Sequence, residues 1–282
     1  MAKLINAISH GFSINISSRR KGNQLLDNHI HDYHEIYFML EGNARHFINN
    51  EIINTEVGQL VIVKKGYIHK TMYEPEKFSQ RLLICFDDGF VGDFYHDIAD
   101  KLGKQKYMPL SLSSKLEIEN IIRALYSEYV NKDSDYLEMC KNLLRQLLII
   151  MYRQKTDTTA RKLSNNEIII QNASQYITDN YSEKLTLEFL AKKYAMSQSH
   201  FSKTFKFYTG FGVSEYITLV RVRNAEKMLR KSPVSITEVA YSCGFNDSNY
   251  FTSVFKKHKG ITPLKYAILN RNTKRTEFDK NS

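Results

Sequence analysis

Residues 185–210 read LTLEFLAKKYAMSQSHFSKTFKFYTG, and residues 235–260 read SITEVAYSCGFNDSNYFTSVFKKHKG. Both stretches follow one plan, in which a short apolar segment with an alanine meets a break and a second segment with apolar residues at helical spacing follows. Ser197 and Asp247 stand where a side-chain oxygen can cap the second helix, and a glycine ends each copy. The pattern predicts a helix, a tight turn and a helix, twice. That arrangement places its second helix in the major groove of DNA.

The polar faces of the two second helices carry short hydrogen-bonding groups beside lysines. Such groups suit base edges that are flanked by phosphates. An ordinary solvated helix face is the alternative for one copy alone, and the duplication weakens that alternative. The candidate DNA-binding residues are Ser197, Ser199, His200, Ser202, Lys203 and Lys206 in the first copy, and Ser248, Asn249, Thr252, Ser253, Lys256 and Lys257 in the second.

The second half of the chain resembles a known family. The runs RVRNAEKML at residues 221–229, SITEVAYSCGF at residues 235–245 and GITP at residues 260–263 are similar to the signature of the AraC/XylS family of transcription regulators. The resemblance implies two helix-turn-helix units joined by a long helix, here at about residues 213–230. About 18 residues at 1.5 Å each span roughly 27 Å, close to the ~34 Å of one DNA turn. One chain can therefore read two adjacent major grooves.

Charge divides the chain into two halves. Residues 1–159 hold 20 Lys+Arg and 20 Asp+Glu, whereas residues 160–282 hold 20 Lys+Arg and 10 Asp+Glu, so the net charge of +10 lies entirely in the second half. A neutral half joined to a basic half is typical of a sensing module attached to a module that binds a polyanion. A basic helix at a membrane surface would explain the charge, but it would not explain the duplication.

Length and cysteine usage indicate a cytoplasmic protein of about two domains. No apolar run approaches the ~20 residues of a membrane span, and the N-terminus lacks the apolar region of a signal peptide. Cys85, Cys140 and Cys243 are far apart and have no CxxC spacing, which fits reduced thiols better than disulfides or a zinc site. No membrane partner is expected.

The first 108 residues contain short runs with the composition of strands. These runs are HEIYFML at 34–40, ARHFIN at 44–49, GQLVIVKK at 58–65 and QRLLICF at 80–86, separated by Glu-Gly, Asn-Asn and Lys-Gly turns. Short strands at close spacing predict an antiparallel barrel or sandwich. The expected fold class is therefore α+β, with an antiparallel β barrel and flanking helices followed by an all-α domain of two helix-turn-helix units.

Part of this region resembles the two cupin motifs. The run HIHDYHE at residues 29–35 is followed by Gly42, Gly58, Gly66 and His69 at the motif spacings, although Lys64 stands where the motif has a proline. The resemblance implies a small barrel with its four metal-ligand positions filled by His29, His31, Glu35 and His69. Three imidazoles and a carboxylate would suit Fe(II), Mn, Ni or Zn.

The alternative is that these side chains surround an organic ligand, as the AraC/XylS resemblance implies. We therefore expect no cofactor, and a transition metal in the barrel is the second hypothesis. The expected partner is a small-molecule effector, with a sugar first, because many barrel-bearing family members sense sugars. His34 is expected at the surface, because strand side chains alternate. The candidate effector-binding residues are His29, His31, Glu35, Tyr37, Arg45 and His69.

From residue 113 to residue 153 the apolar pattern becomes helical, with a break at residues 132–134. The family resemblance implies that such a helix pair flanks the barrel and mediates dimerisation. The alternative is packing on the barrel of the same chain, and both can hold. The candidate dimerisation residues are Leu143, Leu144, Leu147, Leu148 and Met151.

These observations divide the chain into an effector-binding and dimerisation domain at 1–153, a polar linker at 154–166 and a DNA-binding domain at 167–282. We expect a sequence-specific regulator of transcription that activates a metabolic operon, such as one for carbohydrate use, and that is not an enzyme. Its expected partners are tandem major-groove half-sites in double-stranded DNA, RNA polymerase and a second copy of the chain. The alternatives are a metal-dependent cupin enzyme with an accessory DNA-binding region and a non-specific architectural protein.

Overall fold

Strands lie between residues 12 and 86, and helices lie between residues 88 and 278, in the computed structural model, which describes residues 8, 10–19, 30–74, 76–92, 112–153, 163–231 and 235–278. The chain divides into two compact units, residues 1–163 and residues 164–282. The expected α+β fold class is confirmed. Among the described residues, no helix has both the length and the apolar character needed to cross a membrane.

The strands of the first unit form two antiparallel sheets, with the orders β1-β7-β2-β5 and β4-β3-β6. Side chains of the two sheets meet between them, because the rings of Tyr37 on β2 and His46 on β3 lie 5.3 Å apart. We refer to this two-sheet structure as the barrel. Its strands are β1 Phe12–Arg19, β2 His34–Glu41, β3 Asn43–Ile48, β4 Glu51–Glu56, β5 Leu60–Val63, β6 His69–Tyr73 and β7 Ser79–Phe86.

The turns predicted from the sequence join neighbouring strands. Asn49 and Asn50 connect β3 to β4 with φ values of 44° and 74°, which is the geometry of a tight hairpin turn with both central residues left-handed. Gly42 connects β2 to β3 with φ 76°, and a Cβ there would lie 2.6 Å from the carbonyl oxygen of Phe78. A side chain is therefore excluded at this corner of the barrel.

The described residues of the first unit also contain three helices: α1 Asp88–Val91, α2 Leu112–Asn131 and α3 Tyr136–Arg153. They cover one face of the four-stranded sheet, where Ile36, Ile84, Ile118 and Leu144 share one apolar core. The break between α2 and α3 falls at the predicted Lys132-Asp133-Ser134.

The predicted dimerisation stripe lies in this core. Leu144, Leu147, Leu148 and Met151 are fully buried, and Leu143 is half-buried against the same cluster. These leucines pack on the barrel of their own chain, because the sheet face beneath α3 is apolar. The packing within one chain, which the sequence left open, is therefore observed, and a part for these residues in dimerisation stays a prediction.

The second unit contains seven helices among its described residues: α4 Asn165–Asp179, α5 Leu187–Lys193, α6 Gln198–Thr209, α7 Val213–Lys231, α8 Ile236–Ser242, α9 Ser248–Lys259 and α10 Pro263–Phe278. The long helix predicted at 213–230 is α7. The helix α4 begins at Asn165, because Ser164 caps it and shares a capping box with Glu167. Residues 154–162 of the predicted linker lie outside the described residues.

Candidate functional site

Two helix-turn-helix pairs, α5–α6 and α8–α9, form the candidate nucleic-acid interface. The side chain of Ser197 accepts a hydrogen bond from the backbone N of His200 at 3.3 Å, and Asp247 accepts one from Tyr250 at 2.5 Å. Gly210 and Gly260 end the two helices, each with φ 77°. The predicted caps and glycines therefore define both ends of α6 and of α9.

The two turns are similar but not identical. The same backbone bond closes each, from Met196 to Ala191 at 2.9 Å and from Phe245 to Ala240 at 3.0 Å. Four residues separate α5 from α6, and five separate α8 from α9, because Asn246 is added before the second cap. The turn that precedes α9 is therefore one residue longer than the turn that precedes α6.

Eight of the twelve candidate DNA-binding residues occupy matching positions on α6 and α9. Steps of three and four residues along a helix stay on one face, so 199, 202, 203 and 206 form one stripe, and 249, 252, 253 and 256 form its counterpart. The opposite faces are anchored by buried phenylalanines. Ser202, Ser248 and Thr252 are half-buried, and the exposed members are Ser197, Ser199, His200, Lys203, Lys206, Asn249, Ser253, Lys256 and Lys257.

Sequence reasoning missed several exposed groups beside these stripes. Gln198 and Tyr250 stand in the first turns of α6 and α9, and Asn246 and Tyr241 border the second turn, all exposed. Their polar groups add donors and acceptors at the helix ends that a major groove receives first. The cap positions were the available signal, since they locate the first turn of each helix.

The two helix-turn-helix pairs are tied directly to each other. Arg221 on α7 donates from Nε to the carbonyl of Tyr181 at 2.9 Å and from Nη2 to the carbonyl of Glu183 at 2.8 Å. Gly244 in the second turn lies so close to the carbonyl oxygens of Tyr181 and Ser182 that a Cβ would be 2.8 Å from each. These contacts connect the loop before α5 to α7 and to the second turn. They therefore position α6 and α9 relative to each other.

Inside the barrel, the structure brings together three of the four predicted metal-ligand residues. Glu35 Oε2 lies 3.2 Å from His31 Nε2 and 3.1 Å from His69 Nε2, and all three side chains are buried. Burial alone would raise the pKa of Glu35, but the two imidazole rings hold that pKa well below its usual range. His29 lies outside the described residues. We refer to His31, Glu35 and His69 as the triad.

Polar and aromatic side chains continue along the interior from the triad. Tyr37 donates its hydroxyl to Glu35 Oε2 at 2.9 Å, and the guanidinium of Arg81 lies over the Tyr37 ring at 4.7 Å. Arg81 and Arg19 both lie over the ring of Tyr73, at 5.8 Å and 5.1 Å. These groups offer hydrogen-bond donors and aromatic faces to a small polar molecule.

Two family models match these regions. An AraC-like ligand binding domain matches residues 13–148, and a helix-turn-helix domain matches residues 190–267. The chain belongs to the AraC/XylS family of transcription regulators. It is a DNA-binding regulator, as the duplicated helix pair predicted.

Relatives of this AraC/XylS member are similar over most of the chain. The HTH-type transcriptional activator RhaR of Mannheimia succiniciproducens is 28% identical over 250 residues, covering 84% of this chain and 86% of the relative. RhaR of Enterobacter sp. strain 638 is 24% identical over 247 residues, covering 86% and 87%. Among solved structures, the C-terminal domain of AraT from Geobacillus stearothermophilus is 30% identical over 39% of this chain and 88% of that one, with a TM-score of 0.36. The enzyme alternative is not favoured, because the relatives are regulators.

The AraC/XylS barrel differs from the sequence-based expectation at Arg45. Arg45 is paired with Asn54 and Met72 across the three-stranded sheet, one residue from His46. Because strand side chains alternate, Arg45 lies on the face opposite His46 and His69. The structure therefore does not bring Arg45 to the other candidate effector-binding residues.

Several interior groups of the AraC/XylS barrel were missed, among them Arg81, His46 and Tyr73. A lone arginine in the apolar strand SQRLLICF was the signal for Arg81. His46 is fully buried, and its two ring nitrogens lie 3.0 Å from the Thr71 hydroxyl and 2.9 Å from the Thr55 hydroxyl. Burial and the charge of Arg81 lower the pKa of His46 to about 3.

His34 lies inside the protein, so its predicted surface position is wrong. It points away from the triad, but α1 covers that face of the sheet, and His34 Nε2 lies 2.7 Å from Asp88 Oδ1. The backbone N of Lys65 donates to His34 Nδ1 at 3.2 Å. Burial lowers the pKa of His34 to about 4, although Asp88 opposes the shift. The three cysteines are free and buried, as expected for reduced thiols.

Proposed function

We propose that this protein is an effector-responsive transcription activator that reads two adjacent half-sites in double-stranded DNA through α6 and α9. The observation that supports this proposal is the pair of matching polar stripes on these two capped helices. The activator role is supported by the names of the RhaR relatives, which cover more than four fifths of the chain. An activator works with RNA polymerase, so the polymerase is a proposed partner.

Within the stripes, we assign base contacts to four exposed side chains, one of which is a lysine. Ser199 and Lys203 on α6, and Asn249 and Ser253 on α9, project from the faces opposite the buried phenylalanines. Asn249 has the geometry for a paired donor and acceptor contact to adenine. The hydroxyl of Thr252 donates to the carbonyl of Ser248 at 2.9 Å. That internal bond makes Thr252 a weaker candidate for base recognition.

Phosphate contacts are assigned to three other basic side chains. Lys206, Lys256 and His200 are exposed beside the proposed base-reading positions. They lie in the half of the chain that holds twice as many basic as acidic residues. Each phosphate that such a cation neutralises releases counterions, so binding should weaken steeply with salt.

The effector is proposed to bind inside the barrel and to be a sugar. Arg81 and Tyr37 supply donors, and the ring of Tyr73 supplies a flat apolar face for the carbon skeleton. The neutral charge of residues 1–159 fits an uncharged ligand. We propose carbohydrate-use genes as the target, because many barrel-bearing members of the family sense sugars.

A homodimer remains part of the proposal, and exposed side chains of the same helix pair would contribute to its interface. Leu116 and Val130 on α2, and Met139 on α3, are at least half exposed. These side chains stand on the outside of the helix pair whose inner face covers the barrel. They offer apolar surface that the buried leucines of α3 cannot offer.

Selection of sheared genomic DNA on the immobilised full-length protein tests the proposal. We expect a few enriched fragments that share tandem half-sites about one helical turn, ~34 Å, apart, and stronger enrichment when the correct sugar is added. The genes beside those fragments would identify the pathway. Uniform recovery of all fragments at physiological salt, with every sugar in the panel, would show a non-specific architectural protein instead.

A further inference from the structure

We propose that Tyr250 makes the second helix-turn-helix pair select thymine, by packing its ring against the C5-methyl group of that base in the major groove. The inference rests on the proposed function, because it names what one of the two recognition helices reads. Tyr250 stands three residues after the cap Asp247, in the first turn of α9, and it is 58% exposed. The N-terminal residues of a recognition helix are the ones that contact base edges.

The ring of Tyr250 is supported by the core of the second turn. Its centroid lies 6.3 Å from that of Phe245, whose side chain is buried. The rest of the ring faces solvent, so it offers a large apolar surface beside the base-reading positions. The apolar group that a base pair presents in the major groove is the methyl group of thymine. That group therefore fits the exposed ring.

The neighbouring Asn249 indicates that an A·T pair lies at this point. Asn249 is exposed, and an asparagine can make a paired donor and acceptor contact to adenine. The thymine opposite that adenine presents its methyl group in the same groove. Successive residues of a helix point about 100° apart, so Tyr250 lies to one side of Asn249. Its ring is placed to meet the methyl group of that base pair or of the next one.

The first helix-turn-helix pair differs at the corresponding positions. His200 on α6 corresponds to Tyr250, because each lies three residues after its cap. Lys203 on α6 corresponds to Ser253 on α9 in the same way. A lysine suits the two acceptors of guanine, whereas α9 carries no charged side chain before Lys256. The two half-sites are therefore expected to differ, with thymine in the half-site that α9 covers.

The test uses the full-length protein and the tandem site recovered by genomic selection, with thymine replaced by uracil in one half-site at a time. Uracil lacks only the methyl group, so the hydrogen-bonding groups stay the same. The half-site of α9 is the one in which Asn249→Ala relaxes base preference. There, each contacted thymine that is replaced should weaken wild-type binding about three- to fourfold, which corresponds to one buried methyl group. Tyr250→Ala should bind the thymine and uracil duplexes alike.

Two further variants identify the part of the side chain that acts. Tyr250→Phe keeps the ring and loses the hydroxyl, so it is expected to keep the preference for thymine. Phe207→Ala is the matched control, because it removes an aromatic ring of the same 58% exposure from the last turn of α6. It should also keep the preference. Circular dichroism must show that each variant is folded.

Equal binding of the thymine and uracil duplexes by the wild-type chain overturns the proposal, as does a selected half-site of α9 without thymine. Retention of the preference in Tyr250→Ala overturns it too. If Tyr250→Phe loses affinity for every duplex as Tyr250→Ala does, the hydroxyl contacts a phosphate and the methyl contact is wrong. Wild-type preference for the selected duplex over a scrambled one is measured alongside, so a failed methyl contact with that preference intact leaves the proposed regulator function standing.

Discussion

Lys259 Nζ lies 2.6 Å from Glu226 Oε2, and each side chain is only 8% exposed. Glu226 also accepts hydrogen bonds from Arg230 at 2.6 Å and from the hydroxyl of Tyr266 at 2.7 Å. These partners lie on α7, α9 and α10, so one carboxylate connects the long linking helix to the second recognition helix and to the helix that follows it.

Removal of this carboxylate should destabilise the second unit strongly. Glu226→Ala removes the carboxylate that pairs with the buried Lys259 ammonium, and breaking a buried ion pair costs about 3 to 5 kcal/mol. Urea unfolding followed by far-ultraviolet circular dichroism measures the loss. Glu188→Ala, at an exposed position of the same unit, should change the free energy of unfolding by less than about 0.5 kcal/mol. Equal effects of the two substitutions would contradict a structural role for Glu226.

A methyl group at position 244 should disturb the packing between the second turn and the loop that precedes α5. Gly244 has φ 81°, and its added Cβ would meet two carbonyl oxygens at 2.8 Å. We expect Gly244→Ala to cost about 2 to 4 kcal/mol of unfolding free energy, from left-handed strain and from overpacking together. Affinity for a tandem site should fall with it.

Gly66→Ala separates these two causes. Gly66 has φ 73°, but a Cβ there would meet nothing within 4 Å. Only the strain of about 1 to 2 kcal/mol remains. If both alanine variants lost the same free energy of unfolding, the close approach of Gly244 to Tyr181 and Ser182 would not matter.

Acid should destabilise the first unit through His34. Its pKa is about 4 in the folded chain and 6.5 ordinarily, so between those values the unfolded chain binds a proton that the folded chain does not. Stability is then present above pH 6.5 and is lost as the pH falls towards 4, by up to about 3 kcal/mol. Urea unfolding at several pH values measures the slope. His46, whose pKa is also lowered, adds in the same direction.

His34→Gln should reduce that pH dependence without removing it. The glutamine cannot take up the proton, so one of the two buried histidine contributions disappears. A slope that stayed the same in His34→Gln would mean that other groups cause the acid sensitivity.

The DNA-binding unit was largely predictable from the sequence, because its determinants are local. Ser197 and Asp247 cap helices through atoms three residues away, and Gly210 and Gly260 end those helices in left-handed backbone. Rules of this kind need no knowledge of distant contacts. The extra residue before Asp247 is a difference in sequence spacing too, since Ala240 lies seven positions before Asp247 and Ala191 lies six before Ser197.

The barrel interior was less predictable, because it depends on which strand face is covered. Period-two alternation correctly separates His34 from Glu35, but it cannot show that α1 buries His34. Likewise, the stripe of Leu144 and Leu147 has the same pattern whether it covers a sheet or a partner subunit. The sequence of β3 does not show which of Arg45 and His46 faces inward. In each of these cases, tertiary contacts determine which face is buried.

Substitutions at two positions of α9 should distinguish base recognition from phosphate contact. Asn249→Ala is expected to weaken the selected site by about 1 to 3 kcal/mol and to relax preference at one base pair. Lys256→Ala is expected to weaken all DNA sequences alike and to lower the slope of log affinity against log salt by about 1. Fluorescence anisotropy at several salt concentrations, with the selected site and a scrambled duplex, measures both quantities. Lys132→Ala, in an exposed position of the first unit, is the control and should change neither. If Asn249→Ala weakened both duplexes equally, Asn249 would position the backbone, and base recognition would shift to Ser253 and its neighbours.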